Sequence, residues 1–430
     1  MKYLYMDNYR GFQDTFVPIS DVNFLVGENS TGKTSLLYLT HLLSTPRFWF
    51  EQTFNDTEVQ LGTYGDIVSV GSNKKDDFVI GFIEERKNSI SAVMINFIEF
   101  EGQPIVNRFY RFIDTNELKL TIKDDATYYS LNSLEVKSFE SFKKYFYLWK
   151  NESSIKNYKL IEVKFPFPHR KAFLFLTTLI LNKIDKPDDK NSLKHELPFE
   201  LPVFSQDLAW IAPIRSKPKR TYDELKFDFS PEGEHTPYLI RKILANKTGN
   251  AKFLNYITTY GNNSGLFDSI DIIEFGNKAQ PSSPFSLNIK VKDAILNILN
   301  VGYGISQILP VIVELFYRSE NCMFAIQQPE VHLHPKAQAA LGNTIFSLSN
   351  IEKKKFLIET HSDYLINRFR LNVRDNKSKI KSQVLYFEKN GNFNTVFPIE
   401  IDCDGEYSTD QPESFREFFI KEELDILGLK

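Results

Sequence analysis

The sequence predicts an α/β protein: a mixed central sheet, an antiparallel β layer, and a partly helical insertion. Three observations predict it. The apolar run Val22 to Val26 leads through a glycine loop into Leu36-Leu37-Tyr38-Leu39 and Leu42-Leu43, which reads as strand, tight turn and helix. Between residues 78 and 122, short apolar runs alternate with polar positions, as in strands with one buried face. From about 133 to 197 Lys, Tyr and Phe intermix without that alternation, and Pro187 to Ser192 makes a solvated break. The predicted organisation is 1–130, an insertion at 131–205, and 206–430.

Composition narrows the class. A chain of 430 residues, 42% hydrophobic with 38 Phe and 20 Tyr, can bury a large core. The net charge of −3 gives no overall basic field toward nucleic acid, although a local patch stays compatible with it. Cys322 and Cys403 are the two cysteines and lack metal-type spacing. Met1-Lys2-Tyr3 opens straight into a strand, and the longest apolar run, Ala172 to Leu181, falls short of the roughly 20 residues that cross a bilayer. The expectation is a soluble cytoplasmic protein without disulfides or a membrane partner.

In chain order, Tyr3-Leu4-Tyr5, Tyr9 to Phe12 and Phe16 to Ile19 read as short antiparallel strands feeding the loop strand. The loop Gly27-Glu28-Asn29-Ser30-Thr31-Gly32-Lys33-Thr34-Ser35 has the spacing G-x-x-x-x-G-K-[ST]. Its glycines let backbone N–H groups point at phosphate oxygens, and the following helix adds its positive end. Lys33 reaches the β- and γ-phosphates and the Thr34 hydroxyl ligates Mg²⁺. Val59 to Val68 is a turn-rich link, runs at 78–83, 92–97 and 106–113 are three strands in a meander, and 97–100 and 118–122 continue the β pattern. Asn182-Lys183-Ile184-Asp185 matches a guanine-reading N-K-x-D pattern, but it is short and no suitable D-x-x-G precedes it, so the GTPase alternative is set aside.

After the insertion, Leu208 to Arg215 returns to ordered sequence. Arg215, Lys219 and Arg220 read as a solvated loop, with phosphate or an acidic partner as the alternative. Thr236 to Asn262 has helical spacing. Val301-Gly302-Tyr303-Gly304-Ile305-Ser306-Gln307 is a glycine turn opening an apolar helix, a second anion site at a helix start. Met323 to Ile326 is a buried-type strand ending in Gln327-Gln328-Pro329-Glu330-Val331-His332-Leu333-His334-Pro335, and Lys355 to Ile358 is another ending in Glu359-Thr360-His361-Ser362.

These motifs, in this order, resemble the SMC/RecN/OLD-like group of ABC-type P-loop ATPases of the AAA class. The likeness is to the bacterial set whose strand tips read E-[EQ]-P-E-x-H-L-H-P and E-T-H-S. The resemblance implies an ABC-ATPase-like P-loop head with ATP and Mg²⁺ as cofactors. It makes 27–34 the Walker A loop and 301–307 the signature, with Gly302, Gly304, Ser306 and Gln307 on nucleotide. It also makes 327–335 the Walker B region, with Gln327, Gln328 and Glu330 catalytic, and His361 the switch histidine. Thr34, Gln327 and Gln60 would face the metal. The match covers 1–75 and 205–430.

No long heptads occur, which argues against an arm-bearing protein, and the chain ends too soon after the head for a nuclease domain. The resemblance therefore points to the ATPase subunits of Septu-type and retron-associated anti-phage systems. Such subunits associate with themselves through ATP, as a homodimer or higher oligomer, and pair with a separate nuclease or toxin. A DNA-maintenance ATPase and a non-hydrolysing scaffold are the alternatives. Gln327 and Gln328 stand where relatives carry acids, which predicts slow turnover. A transition-metal site at His332, His334 and Glu330 would need an extended strand there, which Pro329 and Pro335 oppose.

Overall fold

The computed structural model describes residues 1–418 apart from 57, 73–74, 88, 124–125, 153, 162–169, 171–172, 178–179, 181–200, 225, 247–249 and 277–282. The N-K-x-D run and the 187–192 break lie outside the described residues. The chain forms two compact units. One comprises Met1–Ile19, Asn29–Gln206 and Glu388–Val396; the other comprises Ser20–Glu28, Asp207–Phe387 and Phe397–Lys430.

The first unit holds an eight-stranded antiparallel sheet in the order β2-β1-β4-β5-β6-β7-β8-β9. Its strands are β1 (Lys2–Asp7), β2 (Thr15–Ile19), β4 (Asp77–Glu85), β5 (Ile90–Phe100), β6 (Gln103–Ile113), β7 (Asn116–Lys123), β8 (Ala126–Ser133) and β9 (Lys159–Leu160). The predicted three-stranded meander is longer in the structure, five consecutive strands from β4 to β8. Helices of this unit include α1 (Lys33–Ser44), α2 (Pro46–Glu51), α3 (Tyr64–Ile67) and α4 (Phe139–Lys150). Helix α4 starts where Ser138 and Ser141 form a reciprocal cap. Its Phe142, Phe146 and Trp149 lie on one face by helical spacing and are buried with Tyr5 and Tyr110. Each such burial contributes about 1.5–3 kcal/mol.

The second unit contains the six-stranded sheet β10-β14-β15-β3-β16-β17. Its strands are β3 (Val22–Gly27), β10 (Leu208–Ile211), β14 (Met323–Gln327), β15 (Lys355–Glu359), β16 (Ser382–Asn390) and β17 (Phe393–Ile401). The pairings from β10 through β16 are parallel. Parallel strands are covered on both faces, which is why Val22–Val26 is buried throughout and apolar except at Asn23, whose side-chain amide donates to Phe356 O and accepts from Gln383 Nε2. A three-stranded antiparallel sheet is built from β11 (Ser269–Glu274), β12 (Phe285–Val291) and β13 (Ala294–Asn297). The helices are α5 (Thr236–Ala245), α6 (Asn250–Ser264), α7 (Tyr303–Tyr317), α8 (Pro335–Glu352), α9 (Asp363–Asp375) and α10 (Glu413–Phe418). The predicted α/β class, a mixed P-loop head with parallel and antiparallel sheets, is the one the structure shows. Among the described residues no helix is long and apolar enough to cross a membrane.

Strand order sets up the site. β15 is interposed between β14 and β3, and the register pairs Gln327 with Glu359 and Glu359 with Leu25. Because the strands are parallel, the ends of β3, β14 and β15 share one edge, the edge at which open α/β sheets bind ligands.

Candidate functional site

The glycine loop needs both its glycines for stated reasons. Gly27 has φ +145°, and a Cβ there would overlap the Phe387 carbonyl oxygen of the adjacent β16. Gly32, at the N-cap of α1, has φ +99°, and its Cβ would lie 2.8 Å from Asn394 Nδ2. Ser30 is left-handed too, at φ +62°, so the backbone curls before the helix begins. Leu36 N then donates to Gly32 O at 3.1 Å, and no acidic residue occupies the first turn of α1. The helix therefore presents N–H groups and a positive dipole end. Glu28, Asn29 and Ser30 are exposed, Thr34 is half-buried, and Thr31, Lys33 and Ser35 are buried. Arg10 Nε steadies the first turn through Ser35 Oγ at 3.0 Å. Gln60 is exposed, in a backbone bridge with Asn55.

The strand tips carry the second set of groups. Gln327 and Glu359 are both buried, and Gln327 Nε2 donates to Glu359 Oε2 at 3.1 Å. Gln328 N extends the ladder to Glu359 O at 2.8 Å, and Gln328 itself is left-handed at φ +42°. Thr360 N reaches Leu25 O, binding the end of β15 to β3. Glu330 Oε1 accepts the His361 N–H at 2.7 Å, while its Oε2 is buried without a partner. Burial pushes the Glu330 carboxyl above the usual carboxylate range, against the N–H bonds, the Thr360 hydroxyl and the Arg215 charge that pull it down. The His361 ring sits at the surface.

Arg215 holds this tip from beneath. It is 2% exposed, and its Nη2 donates to Gln327 O at 2.9 Å and lies 3.4 Å from Gln328 O. Its Nε and Nη1 are buried without a partner. Burial draws its pKa down to about 10, against the pull of Glu330. The solvated-loop reading of Arg215 is therefore wrong. Charged residues read as surface when the partners are backbone carbonyls more than a hundred residues away, and no local pattern signals them.

The start of α7 divides the predicted signature residues. Gly302 and Tyr303 are exposed. Gly304 abuts the tip loop, where a Cβ would lie 2.5 Å from His332 O. Ser306 is buried and its hydroxyl donates to Tyr303 O at 2.8 Å. Gln307 points inward, its amide 3.5 Å from Arg215 O. The tip loop after Gln328 is a turn rather than a strand, with His332 at φ +66° and its ring edge-on to Tyr303 at 4.8 Å. His334 caps α8, its Nδ1 accepting from Ala337 N at 3.3 Å. Among the described residues no three His, Cys, Asp or Glu side chains converge as a metal cluster would require.

Comparison with known proteins adds a family. The family model described as an AAA ATPase domain matches residues 1–366. No curated protein matches the chain. Solved structures similar to it include three SMC heads. One is the SmcHead bound to the C-winged helix domain of ScpA, 10% identical with TM-score 0.44 over 93% of this chain and 97% of that one. Another is the Smc head domain with an extended coiled coil bound to the C-terminal domain of ScpA from Pyrococcus furiosus, 11% identical with TM-score 0.38 over 100% and 99%. The third is the SMC head domain from Thermotoga maritima, 10% identical with TM-score 0.36 over 93% and 98%.

Proposed function

The chain belongs to the AAA ATPase domain family, and from that premise we propose an ATP-binding subunit that associates through bound ATP and turns it over very slowly. Its ATP-bound state gates a separately encoded nuclease or toxin in defence against phage. In this reading Lys33 and the loop N–H groups hold the phosphates. In the first unit the Thr34 hydroxyl suits a Mg²⁺ held mainly by ATP oxygens; in the second, the Glu359 carboxylate holds Gln327 Nε2, which leaves Gln327 Oε1 as the acceptor end of that amide. The Mg²⁺ would neutralise phosphate charge.

One observation carries the slow turnover: both residues at the end of β14 are amides. Neither Gln327 nor Gln328 has basicity near neutral pH, and general-base catalysis is worth about 10²–10⁴ in rate. Glu330 and Glu359 are the remaining carboxyls at the strand tips; Glu359 is engaged by Gln327 Nε2, and Glu330 has one oxygen committed to the His361 N–H. What turnover there is runs through the other oxygen of Glu330.

The association reading rests on the exposed start of α7, whose N–H groups suit the γ-phosphate of ATP on a second copy. Gly302 is the position that tests it, since a Cβ there meets nothing within 4 Å, whereas Gly304 is tied to the tip loop. Gly302→Asp adds negative charge without a clash. Light scattering with and without Mg²⁺-ATP should show association of the unaltered chain, and its loss in Gly302→Asp at unchanged ATP affinity. A chain that stays monomeric with saturating ATP refutes the association. The effector reading rests on the likeness of the four motifs to those of Septu-type and retron-associated subunits. A nuclease or toxin gene beside this one supports it, and a neighbourhood without either removes it.

A further inference from the structure

The second unit carries an open-mouthed cavity of about 300 Å³, one wall of which is the α7 face carrying Ser306, Leu309 and Pro310. Its volume is at the low end for small-molecule sites. Leu287 and Ile298 add apolar surface beside Leu309, and the rings of Tyr222 and Tyr238 flank it. The wall is braced, because Gly233 at φ +77° is pressed so closely on Pro310 that a Cβ would lie 2.5 Å from the proline ring.

The polar groups of the lining specify the guest. Thr236 is 2% exposed, and its hydroxyl has no hydrogen-bond partner. Pro310 lies inside α7 and has no N–H, so the Ser306 carbonyl four residues earlier loses its helical donor. Thr236 and Ser306 both line the cavity, the Thr236 hydroxyl oxygen itself lying buried behind its surface. Lys217, Lys219 and Lys226 stand on the rim. Lys219 and Lys226 pair with Glu224 and Glu234 at exposed positions. Such pairs are worth about 0–1 kcal/mol, so an arriving anion displaces them at little cost. Lys217 is exposed with no carboxylate partner among the described residues.

We propose that this cavity binds an anionic, ring-bearing small molecule of about mononucleotide size, and that its occupant controls ATP-dependent association through the first two turns of α7. The ring lies against Tyr222, Tyr238 and Leu309, and the anion meets the lysine rim. The control step rests on the reading of α7 as the element that meets ATP on a second copy; the binding step does not.

AMP is the probe, titrated calorimetrically into the Lys33→Ala protein so that the glycine loop does not compete. One-to-one binding with Kd below 1 mM is expected, with adenosine and inorganic phosphate each at least tenfold weaker. Leu309→Trp, which fills the cavity, and the exposed double change Lys217→Glu with Lys226→Glu should each weaken AMP at least tenfold. Absence of saturable binding, or equal affinity in both variants, overturns the site. With Lys33 intact, AMP should shift the ATP concentration for half-association at least threefold, and the rim variant should abolish that shift. Association that ignores bound AMP overturns the control step. If ATP drives no association while AMP still binds at the cavity, the association reading has failed and the site stands.

Discussion

Replacing Arg215 by methionine separates a fold anchor from a device that shapes the strand tip. The Nη2 bond to Gln327 O, at 2.9 Å, is charge-assisted and worth about 1.5–3 kcal/mol. The 3.4 Å approach to Gln328 O is too long to add much. Against these stand Nε and Nη1, two buried donors without partners, each costing about 1–3 kcal/mol. Methionine keeps the apolar stem and removes both the gain and the cost, so global stability should change by no more than about 2 kcal/mol, a few degrees in Tm. The local effect is larger. The Gln327 carbonyl loses its donor, and Gln328, held left-handed at about 1–2 kcal/mol, is released to relax. If the tip geometry is worth the lost hydrogen bond, Mg²⁺-ATP affinity should fall about 10- to 100-fold. Thermal melting and calorimetric ATP titration of the same variant decide the matter. A melting point lowered by more than about 10 °C with normal ATP affinity would make Arg215 an anchor of the fold and refute the reasoning.

Three further perturbations follow from the same geometry. Gly27→Ala sets a Cβ against the Phe387 carbonyl at φ +145°, and should cost about 2–5 kcal/mol in urea unfolding while abolishing ATP binding. Glu314 accepts from His235 Nε2 at 2.7 Å and Arg318 Nε at 2.8 Å in a buried setting, so Glu314→Leu should cost about 3–5 kcal/mol. Burial alone would raise the Glu314 carboxyl, but those two partners outweigh it and lower the pKa. Its stabilisation is therefore present above the unfolded value near about 4.3 and is lost as pH falls through the folded one, so Glu314→Gln should flatten the acid limb of a melting-point profile. Burial raises Glu330, so residual ATP turnover, which needs the ionised carboxylate, should rise with pH along a limb lying above the ordinary glutamate range, and Glu330→Gln should remove that limb.

Much of this site was legible because its signals are local. The glycine loop, its strand and its helix lie within about twenty consecutive residues, and the same holds for the tips at 327–335 and 359–362. What was not legible depends on partners far along the chain. The requirement for glycine at 304 comes from the His332 carbonyl, not from the helix start that made it look like an anion contact. Gln307 reads as a signature residue, yet it faces inward toward Arg215. The H-x-H segment gave no sign that His332 would turn left-handed and that His334 would cap a helix. The fold class was readable from periodicity, whereas the placing of β15 between β14 and β3, which brings Glu359 beside Gln327, is a tertiary choice that no single run encodes.

The central claim is that ATP acts here as a clamp because the tip of β14 presents amides. The direct measurement is single-turnover Mg²⁺-ATP hydrolysis by the unaltered chain beside Gln328→Glu, with ATP affinity measured for both. Equal affinity and a rate at least 100-fold higher in Gln328→Glu is the expected result. Rapid hydrolysis by the unaltered chain, unchanged in Gln328→Glu and lost in Glu330→Gln, would contradict it.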